Sequence, residues 1–115
     1  MNSEIDYTYG SPLFVKDDLL NASKNPHIKW IIVAFHTPMY TSPSRHPPAI
    51  LFRIIYHPLF DKYGVDLVLQ AHNHNYQRSY PLIYNYSNPR NPAIGVASNN
   101  TYLDPPGQVY LVVGT

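Results

Sequence analysis

Apolar and polar positions alternate along this chain in blocks that read as α/β. After an extended or looped stretch over residues 2–12, with Tyr7 and Tyr9 alternating and a turn at Gly10, Ser11-Pro12 has the form of a helix start, with serine as N-cap and proline at the first helical position. Val15, Leu19 and Ala22 then recur at i, i+4, i+7 as one apolar stripe, with Lys16, Asp17 and Asp18 facing water. The helix should stop near Lys24-Asn25-Pro26, because proline disfavours helical geometry in the residue before it. Trp30 to Phe35 is a continuous apolar run, the pattern of a strand covered on both faces. A polar loop follows from Met39 to Pro48, and a second helix is expected from Ala49, with Leu51, Ile54 and Ile55 as its buried stripe. His57-Pro58 should kink or restart that helix, with Leu59 and Phe60 packing inward, and Gly64 should cap it.

The short run Asp66–Gln70 is too brief for an ordinary helix and reads as a buried strand. Residues 30–70 therefore form one βαβ unit, with a right-handed crossover expected. A short strand is expected at Leu82–Tyr84, a long Asn-, Pro- and Ser-rich loop over 85–106, and a last strand at Val109–Val113. No internal repeat is visible.

Two strands read as buried each run straight into histidine, at His36 and at His72-Asn73-His74. In open α/β sheets, ligands bind beyond the carboxyl ends of the strands, so these three imidazoles belong to one rim. Imidazole is the commonest metal ligand, and three on one rim suit Zn²⁺, Fe or Mn²⁺. His46 sits in the loop after the first strand. His27 should lie at the opposite rim as a solvated loop residue, and His57 on the helix surface. A two-metal site also needs carboxylates. Asp6, Asp17, Asp18, Asp61, Asp66 and Asp104 are present, but none is well placed.

Composition narrows the picture. The 115 residues suffice for one small domain, and the formal net charge of +1 with scattered Lys and Arg argues against a nucleic-acid partner. No apolar run approaches the roughly 20 residues of a membrane span. The absence of cysteine excludes a disulfide scaffold and Cys-ligated zinc. Met1–Asp6 lacks the pattern of a signal peptide, while Asn-x-Ser/Thr sequons at Asn21, Asn85 and Asn99 lean toward an exported, extracellular chain.

Taken together, the motifs resemble those of the calcineurin-like metallophosphoesterases. Val33-Ala34-Phe35-His36 resembles their V-x-x-H motif, and Ala71-His72-Asn73-His74 their G-H-x-H motif. Trp30 through Tyr40, Leu59 through Leu69, Tyr76-Gln77-Arg78 and Gly107 to Thr115 are similar to segments of the purple acid phosphatase branch. The resemblance covers roughly residues 11–84 and 107–115. It implies hydrolysis of phosphoric esters by a metal-activated hydroxide at a dinuclear site, with Fe paired with Zn, Mn or Fe. His36 and His72 would hold one ion and His74 the other. His46, with Arg45, would contact the substrate phosphate or act as general acid to the leaving oxygen.

The departures are equally specific. The family's D-x-G, G-D-x-x-Y and G-N-H-D/E motifs do not occur in this sequence. Ala71 replaces a glycine, which would strain the turn if that position needs a positive φ. Gln77 replaces a glutamate beside Arg78. The expectation is a single partial domain over 1–115: the carboxyl-side portion of an α-β-β-α sandwich, a βαβ unit plus further strands without the N-terminal half, one sheet edge uncovered and inactive by itself. The competing expectation is an inactive truncated fragment or a degenerate α/β metal-binding module.

Overall fold

A computed structural model describes residues 10–42 and 45–114, so the stretch with Asp6, Tyr7 and Tyr9 lies outside the described residues. Helix α1 spans Gly10–Lys24 and takes in Gly10, which the sequence suggested as a turn. Its stripe is as expected, with Val15 and Leu19 buried against the core. The turn after it closes through the Asn25 amide to the Ala22 carbonyl, ahead of Pro26.

Strand β1 (Ile32–Ala34), helix α2 (Ile50–Tyr63) and strand β2 (Leu67–Gln70) form the βαβ unit. Strand β3 (Tyr76–Arg78) follows, then the short strands β4 (Leu82–Ile83) and β5 (Ala93–Ile94), and finally β6 (Val109–Val113). The main sheet runs β1-β2-β6-β3. β1, β2 and β6 are parallel, with Val33 opposite Val68 and Val68 opposite Tyr110, and β3 is antiparallel to β6. The strands β4 and β5 pair separately. Strand β3 escaped the sequence reading because Tyr-Gln-Arg carries no apolar alternation, and its place is set by pairing to β6.

The expected cover on both faces of the first strand is not found. β1 is an outer strand of its sheet among the described residues, and it is not covered on both faces: Trp30 is 73% and Ile32 57% exposed. The helices pack on one face only, where Phe35, Met39, Phe52, Phe60, Val68 and Tyr110 make a continuous core.

The buried stripe of α2 is also different. Leu51, 65% exposed, and Ile54 point outward, and Ile55 is only half-buried. Phe52, Tyr56, Phe60 and Tyr63 turn inward instead, flanked by Arg53 and His57. Two apolar stripes compete on this helix, and the aromatic one removes more area from water. The helix runs unbroken through Pro58, and Gly64 ends it in the left-handed conformation at φ 70°.

His57 is therefore a core residue rather than a surface one. Its Nδ1 bonds the Tyr40 hydroxyl at 2.7 Å. Its Nε2 faces the Leu82 carbonyl at 3.2 Å and Asp61 Oδ1 at 3.3 Å, so Nε2 carries a proton. Asp61 also accepts from Gln108 Nε2 and from the Tyr84 amide, both at 2.9 Å. Burial raises the Asp61 pKa, but hydrogen bonds from His57, Gln108 and Tyr84 outweigh it and hold the carboxyl below its ordinary range. A depressed carboxyl stabilises the fold fully above its unfolded value of about 4 and loses that contribution as pH falls through the folded value. Asp61→Asn should destabilise the chain by roughly 1–2 kcal/mol near neutral pH. It should also flatten the acid limb of stability against pH, both measurable by urea unfolding.

Candidate metal centre

The histidine rim is built from two strand ends that are tied together. Beyond β1 the Phe35 amide bonds the Leu69 carbonyl, and beyond β2 the Ala71 amide bonds the His36 carbonyl, at 3.0 Å each. The chain then turns sharply. The Asn73 amide reaches the Ala71 carbonyl at 2.8 Å, and His72 takes up a positive φ of 67°. The strained position is thus His72 and not Ala71, so an alanine fits the glycine position of the motif without strain. Histidine is among the non-glycine residues enriched in this region.

This geometry brings His36 and His72 into direct contact. His36 Nε2 lies 2.7 Å from His72 Nδ1, with the rings edge to face. The His46 ring centroid is 3.8 Å from that of His72. His46 is placed by Asn73, a buried side chain between the two histidines of the motif. Asn73 Oδ1 accepts the His46 amide at 3.0 Å, and its Nδ2 donates to the His46 carbonyl at 3.1 Å and to Thr41 Oγ1 at 2.9 Å. The amide group thereby ties Thr41 and His46 to the rim. Partial burial, then the charges of His72, Arg45, His74 and His36, lower the His46 pKa, favouring its neutral imidazole. Arg45 and His74 complete a shallow pocket with His46, His72, Asn73 and Asn75.

The sequence singled out His36, His46, Arg45, His72 and His74. Direct ring contacts join His36, His46 and His72, while Arg45 and His74 share the pocket wall. His27 is exposed at the far end, as expected. Two of the candidate carboxylates among the described residues lie elsewhere: Asp66 Oδ2 caps the Ile31 amide at 2.8 Å, and Asp61 belongs to the core network. Among the described residues, no group of three or more His, Cys, Asp or Glu side chains is arranged to hold a metal ion. The imidazole donors are of the type that divalent transition metals favour, and the set is short of oxygen ligands.

Sequence reasoning missed Asn73, Gln70 and Gln77 as the residues that position the rim. Gln70 Oε1 accepts the Met39 and Tyr40 amides at 2.6 and 3.1 Å, and its Nε2 donates to the Tyr40 carbonyl at 3.0 Å. Gln77 Oε1 accepts from Thr41 Oγ1 and from the Ser42 amide, at 3.1 and 2.6 Å. A polar side chain closing an otherwise apolar strand was the available signal for Gln70.

The family model of the calcineurin-like phosphoesterases matches residues 2–76, which include both histidine-bearing strand ends. The chain is 36% identical over 114 residues to the human protein named acid phosphatase type 7 and 34% identical over 116 residues to the mouse one. Each match covers 89% of this chain and 25% of the relative. It is 30% identical over 102 residues to purple acid phosphatase 15 of Arabidopsis thaliana, covering 88% of this chain and 16% of that protein. The chain thus spans a quarter or less of the length of these relatives. Because the matched residues form more than half of the chain and carry its convergent histidines, the chain belongs to the calcineurin-like phosphoesterase family.

Proposed function

We propose that this chain carries the histidine-bearing portion of a metal-dependent phosphatase site of the purple acid phosphatase type. The observation that carries the reading is the 2.7 Å approach of His36 Nε2 to His72 Nδ1 from two parallel strand ends. Two imidazoles that close on a strand rim bring two nitrogen donors to one point, which supports a shared ion, and the acid phosphatase names of the relatives agree in chemistry. His36 and His72 would hold one ion and His74 a second, with the oxygen ligands supplied from outside the described residues. Such ions, when bound, activate water and neutralise charge on a phosphoryl group. His46, clamped by Asn73 beside His72, would donate a hydrogen bond to a phosphate oxygen or act as general acid to the leaving oxygen, and Arg45 would attract the anion. The substrate class is a phosphate ester.

The shortage of oxygen ligands favours one alternative, a metal-binding module without turnover. Zn²⁺ or Mn²⁺ titration by calorimetry separates the outcomes. Binding should be saturable and weakened in His72→Ala by at least the roughly tenfold that loss of a supporting residue alone costs. Unchanged affinity in both His72→Ala and His36→Ala would falsify the site. Binding without p-nitrophenyl phosphate hydrolysis in the longest natural product carrying this chain would select the inactive module.

A further inference from the structure

Arg53 is 6% exposed, yet among the described residues no carboxylate lies within ion-pair distance of it. Its Nε donates to the Met39 carbonyl at 2.6 Å, and Nη1 reaches the Pro89 and Arg90 carbonyls at 3.3 Å each. The guanidinium carbon stands 3.9 Å above the Tyr40 ring. These contacts satisfy part of the fork and supply no counter-charge, and Nη2 is left without a hydrogen-bond partner among the described residues. Buried charges in proteins are ordinarily paired.

A pocket of about 200 Å³ opens beside it, lined by Arg53, Arg78, Thr41, Ser42, Gln77 and Ser79, with the rings of Tyr40 and Tyr110 behind. Every polar group in that wall is cationic or neutral, and no carboxylate is among them. Arg78 is exposed and spends Nη2 on the Asn99 carbonyl, leaving Nε and Nη1. Planar guanidinium forks are the side chains best matched to oxyanions. We propose that this pocket binds a tetrahedral oxyanion, held between Arg53 and Arg78 and distinct from the histidine rim. Burial lowers the Arg53 pKa, which agrees with a cation short of a counter-ion. Asn73 links the two sites, bonding Thr41 on one side and His46 on the other. The anion could therefore be free phosphate or the second phosphate of a larger ester.

The test is an amide and arginine-side-chain NMR titration of the full chain with chelator present, using inorganic phosphate and, separately, an alkyl bisphosphate ester. No turnover is measured, so failure here leaves the proposed function standing. Saturable shifts at Ser42, Gln77 and the Arg78 Nε–H with inorganic phosphate identify a free-anion site. The same shifts with the bisphosphate only identify a site for a second substrate phosphate. Arg78→Gln, an exposed change that does not touch the core, should weaken the affinity roughly tenfold. Arg53→Met should abolish it if that variant keeps its thermal transition, and the Arg78 variant decides the matter if it does not. Shifts confined to Arg45 and His46, no saturation with either ligand, or an Arg78→Gln affinity equal to wild type would overturn the proposal.

Discussion

Gln70→Leu should cost the chain roughly 3–6 kcal/mol, much of the 5–15 kcal/mol that holds an ordinary domain together. The reason lies in Met39-Tyr40, a buried pair of residues outside any sheet ladder. Their backbone groups still need partners. Gln70 takes both amides and the Tyr40 carbonyl, and Arg53 takes the Met39 carbonyl. Leucine matches glutamine in size and in apolar stem but serves none of the three groups. Each unsatisfied group costs about 1–3 kcal/mol, and the sum is reduced by whatever water reaches them. Met39-Tyr40 also leads from His36 toward His46, so the rim should loosen along with the fold. Urea unfolding should show the midpoint falling sharply. Gln70→Glu should fall between the two, since it keeps the acceptor and loses the donor. A Gln70→Leu variant within about 1 kcal/mol of wild type would mean that the Met39-Tyr40 backbone has other partners.

The parts of this fold legible beforehand were those written in periodicity or punctuation. The Val15, Leu19 stripe, the Gly64 cap and the strands around Val33, Val68 and Val109–Val113 follow from apolar spacing and turn chemistry. The rim histidines follow as well, because a strand that runs into histidine places it at a carboxyl end. What stayed hidden was decided by choice between equals or by long-range pairing. On α2, Leu51 and Ile54 lost the interior to Phe52, Tyr56 and Phe60, one residue away around the helix. Helical spacing alone does not rank those two stripes; the larger area of the aromatic rings does. His57 followed the aromatic stripe inward because Tyr40, Leu82 and Asp61 supply partners for both ring nitrogens. The amide side chains of Gln70, Asn73 and Gln77 serve backbone groups some thirty residues away, and such bonds leave no local signature. At Trp30 and Ile32 the apolar run has the pattern of a strand covered on both faces, while the chain folds with those side chains exposed.

Gly114→Ala should damage the histidine rim without altering any histidine. Strand β6 ends beside the 72–75 loop, where the Gly114 amide donates to the Asn75 carbonyl at 3.0 Å. A methyl group at Gly114 would stand 2.0 Å from the Asn73 carbonyl oxygen and 3.0 Å from the His74 Cα. Both obstacles are backbone, so no rotamer change relieves the clash. The glycine is required here by close approach and not by a left-handed φ. Relief must come from sliding β6 back or lifting the loop. β6 is held by its parallel register with β2, Val112 opposite Gln70. The loop belongs to no strand ladder, so it should move first. Asn73 would then release the His46 peptide, and the His36–His72 contact would open. The cost in stability should reach the upper end of the roughly 1–3 kcal/mol typical of overpacking. Metal affinity measured by calorimetry should fall further than this loss alone predicts, because the histidines proposed as ligands are themselves displaced. The NMR resonances of His46 and His72 should shift, while those of Phe52 and Phe60 in the core stay in place. Unchanged histidine resonances in a stable Gly114→Ala chain would show that β6, and not the loop, gives way.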